Sequence, residues 1–245
     1  MNRVLLATLL IALFLACAQD ETPSGMVLIP GGKFTLGFDP AGDLPAVVVD
    51  RTAHLNAQPL QKFDLKPFYI DMFEVTYDEF LKFKPKAAYK TGKPEDPMRG
   101  VSWYEADAYC MWLDKRLPTE FEWEKAARGS TDDRLFVWGN GFKRKDANLG
   151  KKVMPAGSFP KDKSPYGIYD MTGNVSEWTA SEYIPYPGSK FKDDNFNRGL
   201  KVIRGASYYK RDHGFMKEFA MVAHRNFAPG KILTWDTGFR CAKDV

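Results

Sequence analysis

The sequence predicts a single α+β domain with short elements and much irregular backbone. Three hydroxyl–glutamate pairs at capping-box spacing predict three short helices, and apolar, aromatic and β-branched runs predict strands before them. After Gly129 the pattern changes, because Gly, Pro, Asn and Asp recur every few residues and leave room only for short strands. No internal repeat is visible, so one domain over residues 26–245 accounts for the body of the chain.

Residues 1–16 have the pattern of an export signal. A short polar, positive start precedes an apolar stretch that is shorter than the about 20 residues of a membrane-spanning helix. The stretch stops at Cys17, and a polar tether over residues 17–25 follows. This arrangement resembles a bacterial lipobox and predicts that Cys17 is acylated, whereas an ordinary signal peptide cut next to the cysteine is the alternative. Ala18, in place of Asp after the cysteine, implies by that resemblance an outer-membrane anchor.

The strands come first along the chain. The segment MVLIPGGKFTLG predicts two strands joined by a Pro-Gly-Gly turn, and FYIDMFEV predicts a further strand. The only convincing later strands are KVIRGASYY and FAMVAHRNF. His54 lies in a polar loop, where we expect it to be exposed.

Each predicted helix begins at a capping box, in which the hydroxyl accepts from an early amide and the glutamate reaches back. The second helix is expected over about Trp103–Lys115, and the third over Glu120–Arg128, where Gly129 stops it. The three boxes pair Thr76 with Glu79, Ser102 with Glu105, and Thr119 with Glu122.

Charge and cysteine content exclude some classes of function. Lys+Arg 35 against Asp+Glu 31 gives a net charge of only +4, so the lysine clusters are interpreted as solvated loops and no nucleic-acid partner is expected. Cys110 and Cys241 are the cysteines of the body, without metal-binding spacing. In an exported protein a disulfide is the first expectation, and two buried thiols are the alternative.

The segment DMTGNVSEW, residues 170–178, raises the question of a metal site. Asp170 and Glu177 place two carboxylates around a glycine and an asparagine, and calcium prefers such hard oxygen ligands. The spacing does not match an EF-hand, and a turn held by side chain–backbone hydrogen bonds explains the residues equally well.

Taken together, the motifs resemble one family, the formylglycine-generating enzymes or sulfatase-modifying factors. The resemblance covers residues 26–243 and depends on the order of many motifs, among them FYIDMFEVTYDEFLKF, VSWYEADAYCMWLDKRLPTEFEWEKAARG, SPYGIYDMTGNVSEW, VIRGASY and GFRCA. It implies an irregular α+β fold related to C-type lectins. It also implies that Cys110 and Cys241 pair, because both stand where the family has a structural disulfide.

The resemblance further implies a calcium ion at DMTGNVSEW. Carried over position by position, Asp170 and Glu177 would supply side-chain oxygens, and Gly173 and Val175 would supply backbone carbonyls. Calcium is therefore the expected cofactor.

The catalytic thiols of the family are missing. Its enzymes bind copper(I) through two cysteines just after a GGSY-like strand, and soft thiolates suit that ion. Here the stretch is RGASYYKRDHGF, with Lys210 at the first cysteine position, so no copper is expected. An iron site using His213 is disfavoured, because iron-dependent relatives take their histidines mainly from a separate domain. Ser207, Lys210, His213 and Arg225 remain as candidate cleft residues.

Two functions compete on this evidence. The first is a binding or accessory lipoprotein whose cleft recognises a protein, peptide or glycan, anchored to the outer membrane and facing the periplasm or the cell surface. The second is a periplasmic oxidoreductase or tailoring enzyme of the kind found in pyoverdine maturation. The missing thiols make formylglycine generation itself the least expected activity.

Overall fold

The computed structural model describes residues 22–46, 48–86, 92–150, 152–209 and 217–245. Cys17, Lys210 and His213 lie outside the described residues. Within them, helices and short strands alternate with long irregular connections. The strands are β1 Met26–Ile29, β2 Gly32–Leu36, β3 Gln61–Leu65, β4 Phe68–Asp71, β5 Ser176–Glu182, β6 Leu200–Arg204, β7 Arg225–Pro229, β8 Thr237–Gly238 and β9 Ala242–Asp244, and the helices are α1 Tyr77–Phe83, α2 Trp103–Trp112 and α3 Glu120–Arg128.

All three predicted capping boxes form. In each one, the hydroxyl accepts from the amide three residues on, and the glutamate accepts from the cap amide. The third helix has the predicted bounds and ends at Gly129, whereas α2 ends three residues before the predicted Lys115. The reason is Asp114, whose φ of +55° lies in the left-handed region and terminates the helix.

The strands form three small sheets. β1, β4 and β9 make an antiparallel sheet in the order β1-β4-β9, and β2 pairs with β3. The third sheet has the order β7-β6-β5-β8, with β5 and β8 parallel. FAMVAHRNF was predicted as one strand, but its first residues end a 3-10 helix and β7 begins only at Arg225. Met221, Val222 and Ala223 are buried by tertiary packing, so their apolar character does not reflect strand pairing.

A buried charge network connects α3 to the third sheet. Glu124 accepts from Arg204 at 2.6 Å and from Arg128 at 2.7 Å, and Glu120 accepts from Arg225 at 2.7 and 2.8 Å. All five side chains are almost completely inaccessible. Breaking such a pair leaves an uncompensated buried charge, so the network fixes α3 against β6 and β7.

Cys110 and Cys241 form the expected disulfide, with the Cα atoms 5.6 Å apart. The bond links α2 to the residue before β9, across a sequence separation of 131 residues. His54 departs from expectation: it is buried, its ring contacts Phe38, and burial lowers its pKa to about 4. Among the described residues, no helix has both the length and the apolar character to cross a bilayer.

Candidate functional site

The segment predicted as a calcium loop is a tight, buried turn that leads into β5. Asp170 and Asn174 adopt left-handed backbone conformations, with φ of +59° and +72°. Gly173 allows a close approach, because a Cβ there would lie 2.8 Å from the carbonyl oxygen of Asn148. The Asn148 carbonyl also accepts a hydrogen bond from the Asn174 amide at 3.0 Å. The glycine therefore serves packing between two loops.

Glu177 is bound on both oxygens by protein donors. Arg240 donates to Oε2 at 2.8 Å and to Oε1 at 2.7 Å, and the indole N–H of Trp123 donates to Oε2 at 2.8 Å. Burial alone lowers the pKa of Arg240, but the Glu177 carboxylate outweighs this effect and the pKa is raised. The arrangement is a fully buried, bidentate ion pair.

Three more buried carboxylates lie close to this pair. Glu74 accepts from the Val175 amide at 3.1 Å, Asp162 from the Thr172 amide at 3.0 Å, and Asp170 from the Gly157 amide at 2.5 Å. Burial, and then the negative charge of Asp170, raises the pKa of Glu74 and Asp162 well above the usual range. Burial raises the pKa of Asp170 itself to about 6. Burial and mutual repulsion therefore favour the neutral form of these carboxyl groups.

Protein donors already engage Glu177, the carboxylate that the resemblance implied as a calcium ligand. The Glu177 carboxylate has about four lone-pair sites, and Arg240 and Trp123 occupy three of them. A calcium ion at this carboxylate would therefore compete with the Arg240 guanidinium. Within the described ranges, no three His, Cys, Asp or Glu side chains converge as metal ligands would. In this arrangement the guanidinium of Arg240 supplies the positive charge beside Glu177.

Ser207 forms a second polar centre, just beyond the end of β6. Its hydroxyl is inaccessible and donates to Oδ2 of Asp236 at 2.6 Å, while the Tyr209 amide donates to Ser207 Oγ at 3.1 Å. Gly205, with φ of +75°, turns the chain out of β6, and Ser207 then contacts Asp236 on a separate loop. Hard oxygen donors thus occupy the end of β6, and a soft metal ion has no matching ligand in them.

Aromatic side chains and one guanidinium border this centre. Arg99 lies over the Tyr208 ring at 5.9 Å, and the Tyr208 hydroxyl donates to the carbonyl of Trp235 at 3.4 Å. The Trp235 side chain is 55% exposed, and Tyr208 and Tyr209 are half-buried. We call Arg99, Tyr208, Tyr209 and Trp235 the aromatic face. Planar rings and a guanidinium at one surface are suited to stacking on a ligand.

Comparison with known proteins identifies the fold and the family. The family described as "Sulfatase-modifying factor enzyme 1-like domain" matches residues 14–245 of this chain. The chain belongs to this family. A sulfatase-modifying factor relative from Mus musculus, named inactive C-alpha-formylglycine-generating enzyme 2, is 30% identical, with 93% of this chain and 87% of the relative covered. The formylglycine-generating enzyme of Bos taurus is 28% identical over 92% of this chain and 76% of that protein. The structure of PvdO from Pseudomonas aeruginosa superposes with a TM-score of 0.65 at 26% identity, covering 90% and 94% of the two chains.

Within this sulfatase-modifying factor domain, the candidate cleft residues have different positions. Ser207 lies in the polar centre, whereas Arg225 is 2% exposed and donates to Glu120 and to two backbone carbonyls. Arg225 therefore belongs to the core and has no open face for a ligand. Asp236 was not predicted from the sequence, where its only signal is its place two residues before the GFRCA motif.

Proposed function

We propose that this protein is an exported, lipid-anchored binding or accessory protein of the bacterial envelope that lacks formylglycine-generating activity. The observation that carries the proposal is the state of its sulfur atoms. The chain has three cysteines, two of which form the Cys110–Cys241 disulfide, and the third is Cys17 at the predicted anchor. No thiolate pair remains for copper(I), which the chemistry of the family requires.

The polar centre supports the same conclusion. The sequence after β6 has Lys210 at the first cysteine position of the family, and Ser207, which precedes that position, is buried and hydrogen-bonded to Asp236. A buried serine–carboxylate pair cannot replace two thiolates in a redox reaction. The relative named as inactive has the same family scaffold without the activity named for the family.

The aromatic face is the proposed ligand surface. Trp235 presents a large exposed ring, and Arg99 is held between the rings of Tyr77 and Tyr208. Such a surface favours a sugar ring or an aromatic peptide side chain over an anionic polymer. A glycan or peptide is therefore the proposed ligand class, on a protein anchored through Cys17 to the outer membrane.

Peptide oxidation tests the loss of activity. Full-length protein, supplied with copper and oxygen, is incubated with a Cys-x-Pro-x-Arg peptide, and the mass of the peptide is measured by mass spectrometry. We expect the peptide thiol to remain unchanged. Conversion of the thiol to an aldehyde would overturn the proposal.

Glycan and peptide arrays test the binding role. The wild-type protein is compared with Trp235→Ala and with the control Trp112→Ala, whose side chain is similarly exposed at 52%. We expect a signal that Trp235→Ala lowers roughly tenfold or more, as removal of one stacking ring does, and that Trp112→Ala leaves unchanged. Equal loss in both variants, or no signal from the wild type, contradicts the aromatic face as the ligand surface.

The second candidate is a tailoring enzyme, and it is favoured by the similarity to PvdO. That structure matches nearly the whole chain at 26% identity. In this case the aromatic face, beside the buried Ser207–Asp236 pair, would position a small substrate. Metal analysis of the purified full-length protein separates the two functions. One equivalent of copper or iron per chain supports the enzyme, and the absence of both metals supports the binding role.

A further inference from the structure

The end of α2 carries an exposed apolar group that the core does not explain. Met111, Trp112 and Leu113 are 66%, 52% and 39% exposed, although they directly follow the buried Tyr109 and Cys110. We call these three exposed residues the α2 tip. Single exposed apolar residues are normal in soluble proteins, but three consecutive ones at a helix end indicate a surface that contacts another apolar phase.

The α2 tip is held rigidly. The Trp112 ring packs beside Phe83 of α1 at 5.7 Å and beside Tyr109 at 6.0 Å. The disulfide at Cys110 fixes the preceding turn of the helix. The exposed side chains are therefore presented by a fixed base, which lowers the conformational entropy lost when they bind.

The N-terminal tether enters the domain next to this tip. Ser24 and Gly25 line a pocket of about 560 Å³ together with Tyr109 and Leu113. The Gly25 carbonyl accepts from the Met72 amide at 2.9 Å, so the start of the domain is fixed there. An extended chain spans about 3.3–3.6 Å per residue, so the segment from Ser24 back to Cys17 reaches only roughly 25 Å. A lipid on Cys17 would hold this side of the domain close to a bilayer.

We propose that the α2 tip docks on the lipid surface into which Cys17 is anchored, an inference that rests on the anchor of the proposed function. Tryptophan and methionine side chains are suited to the boundary between headgroups and acyl chains. The nearby Lys82 and Lys84 are paired with Asp78 and Glu105, at 2.8 and 2.7 Å. Apolar contact, rather than attraction to anionic headgroups, therefore carries the docking, and the short tether raises the effective concentration of the tip at the membrane.

A fluorescent label at the tip tests the proposal. The full-length protein with Met111→Cys is labelled with an environment-sensitive thiol dye and reconstituted in vesicles of phosphatidylethanolamine and phosphatidylglycerol. The control label is at Val49→Cys, a position that is 75% exposed. We expect a blue shift and protection from an aqueous quencher at position 111 only, in low and high salt alike. Adding Trp112→Ala should abolish the protection, and adding Trp235→Ala should leave it unchanged.

Two results overturn the inference while the anchor stands. One is an equally accessible label at both positions in protein whose Cys17 is acylated. The other is protection that disappears when lipid is added to separate the protein copies, which assigns the tip to a second copy of the chain.

Mass spectrometry of Cys17 tests the anchor separately. If Cys17 is not acylated, its free thiol would also take the dye, so the protein is labelled at position 111 in a Cys17→Ser background and mixed with the same vesicles. Protection at position 111 then still supports lipid contact by the tip, and its absence overturns that contact.

Discussion

Replacing Glu177 with glutamine distinguishes a structural carboxylate from a calcium ligand. The substitution keeps an oxygen for the Trp123 indole but removes the negative charge that pairs with Arg240. Both members of the pair are 1% exposed or less. A buried pair that loses one partner costs about 3–5 kcal/mol, because the other charge stays buried and uncompensated. For a domain of this size that free energy lowers Tm by roughly 6–20 °C.

Thermal unfolding in EGTA and in excess calcium is the assay. We expect Glu177→Gln to lose this stability equally in both buffers, and the wild-type Tm to be the same in both. A calcium site at 100 times its Kd would add about 2.7 kcal/mol to the wild type, a rise of roughly 5–10 °C. That rise, abolished by Glu177→Gln, would refute the assignment of Glu177 to the ion pair.

Two further variants make the result specific. Glu177→Gln combined with Arg240→Met removes both charges, so it should recover part of the lost stability. The control Glu182→Gln lies on the same strand, but its side chain is 57% exposed and lies 3.5 Å from Lys201. Such a pair contributes about 0–1 kcal/mol, so the control should unfold close to wild type.

The remaining predictions concern pH and the disulfide. Because the folded pKa of Asp170 is raised to about 6 from 3.8, its contribution to stability is present at low pH and is lost as pH rises from about 4 to 6, by up to about 3 kcal/mol. The raised pKa values of Glu74 and Asp162 extend this loss of stability to higher pH. Urea unfolding across this pH range should show a weaker dependence of the unfolding free energy on pH for Asp170→Asn than for the wild type. A wild-type unfolding free energy that does not change with pH contradicts the prediction. Replacing Cys110 and Cys241 with alanine removes a cross-link over 131 residues, so urea unfolding should show a loss of about 5 kcal/mol, and a loss below about 1 kcal/mol would contradict it.

The helices were predictable because their signals are local. A capping box satisfies the first amides of a helix with residues three apart, so Thr119 and Glu122 define the start of α3 without any tertiary contact. Strand β5 was missed for the opposite reason, since its sequence SEWTASE is polar. Its polar groups are buried by bonding to neighbouring strands, as when the Thr179 hydroxyl donates to the Val202 carbonyl at 3.0 Å.

The position of the candidate site was predictable, but the partners of its buried polar groups were not. The DMTGNVSEW motif located a tight turn correctly, but Glu177 is bound by Arg240, a partner 63 residues away in sequence. Likewise, nothing near Ser207 in the sequence indicates Asp236, which a separate loop brings to it. A local motif determines backbone conformation, whereas the partner that balances a buried charge depends on the whole fold.

The same separation explains how this scaffold persists without the thiol chemistry of its relatives. The disulfide, the arginine–glutamate network on α3 and the Glu177–Arg240 pair all connect separate elements of the domain, and none of them includes Ser207 or Tyr208, which follow β6. Residues that follow β6 can therefore change while these interactions remain, so family membership fixes the architecture and leaves the activity to the site. Under the proposed function, the segment after β6 has no cysteine pair for copper(I), and the neighbouring aromatic face serves recognition instead.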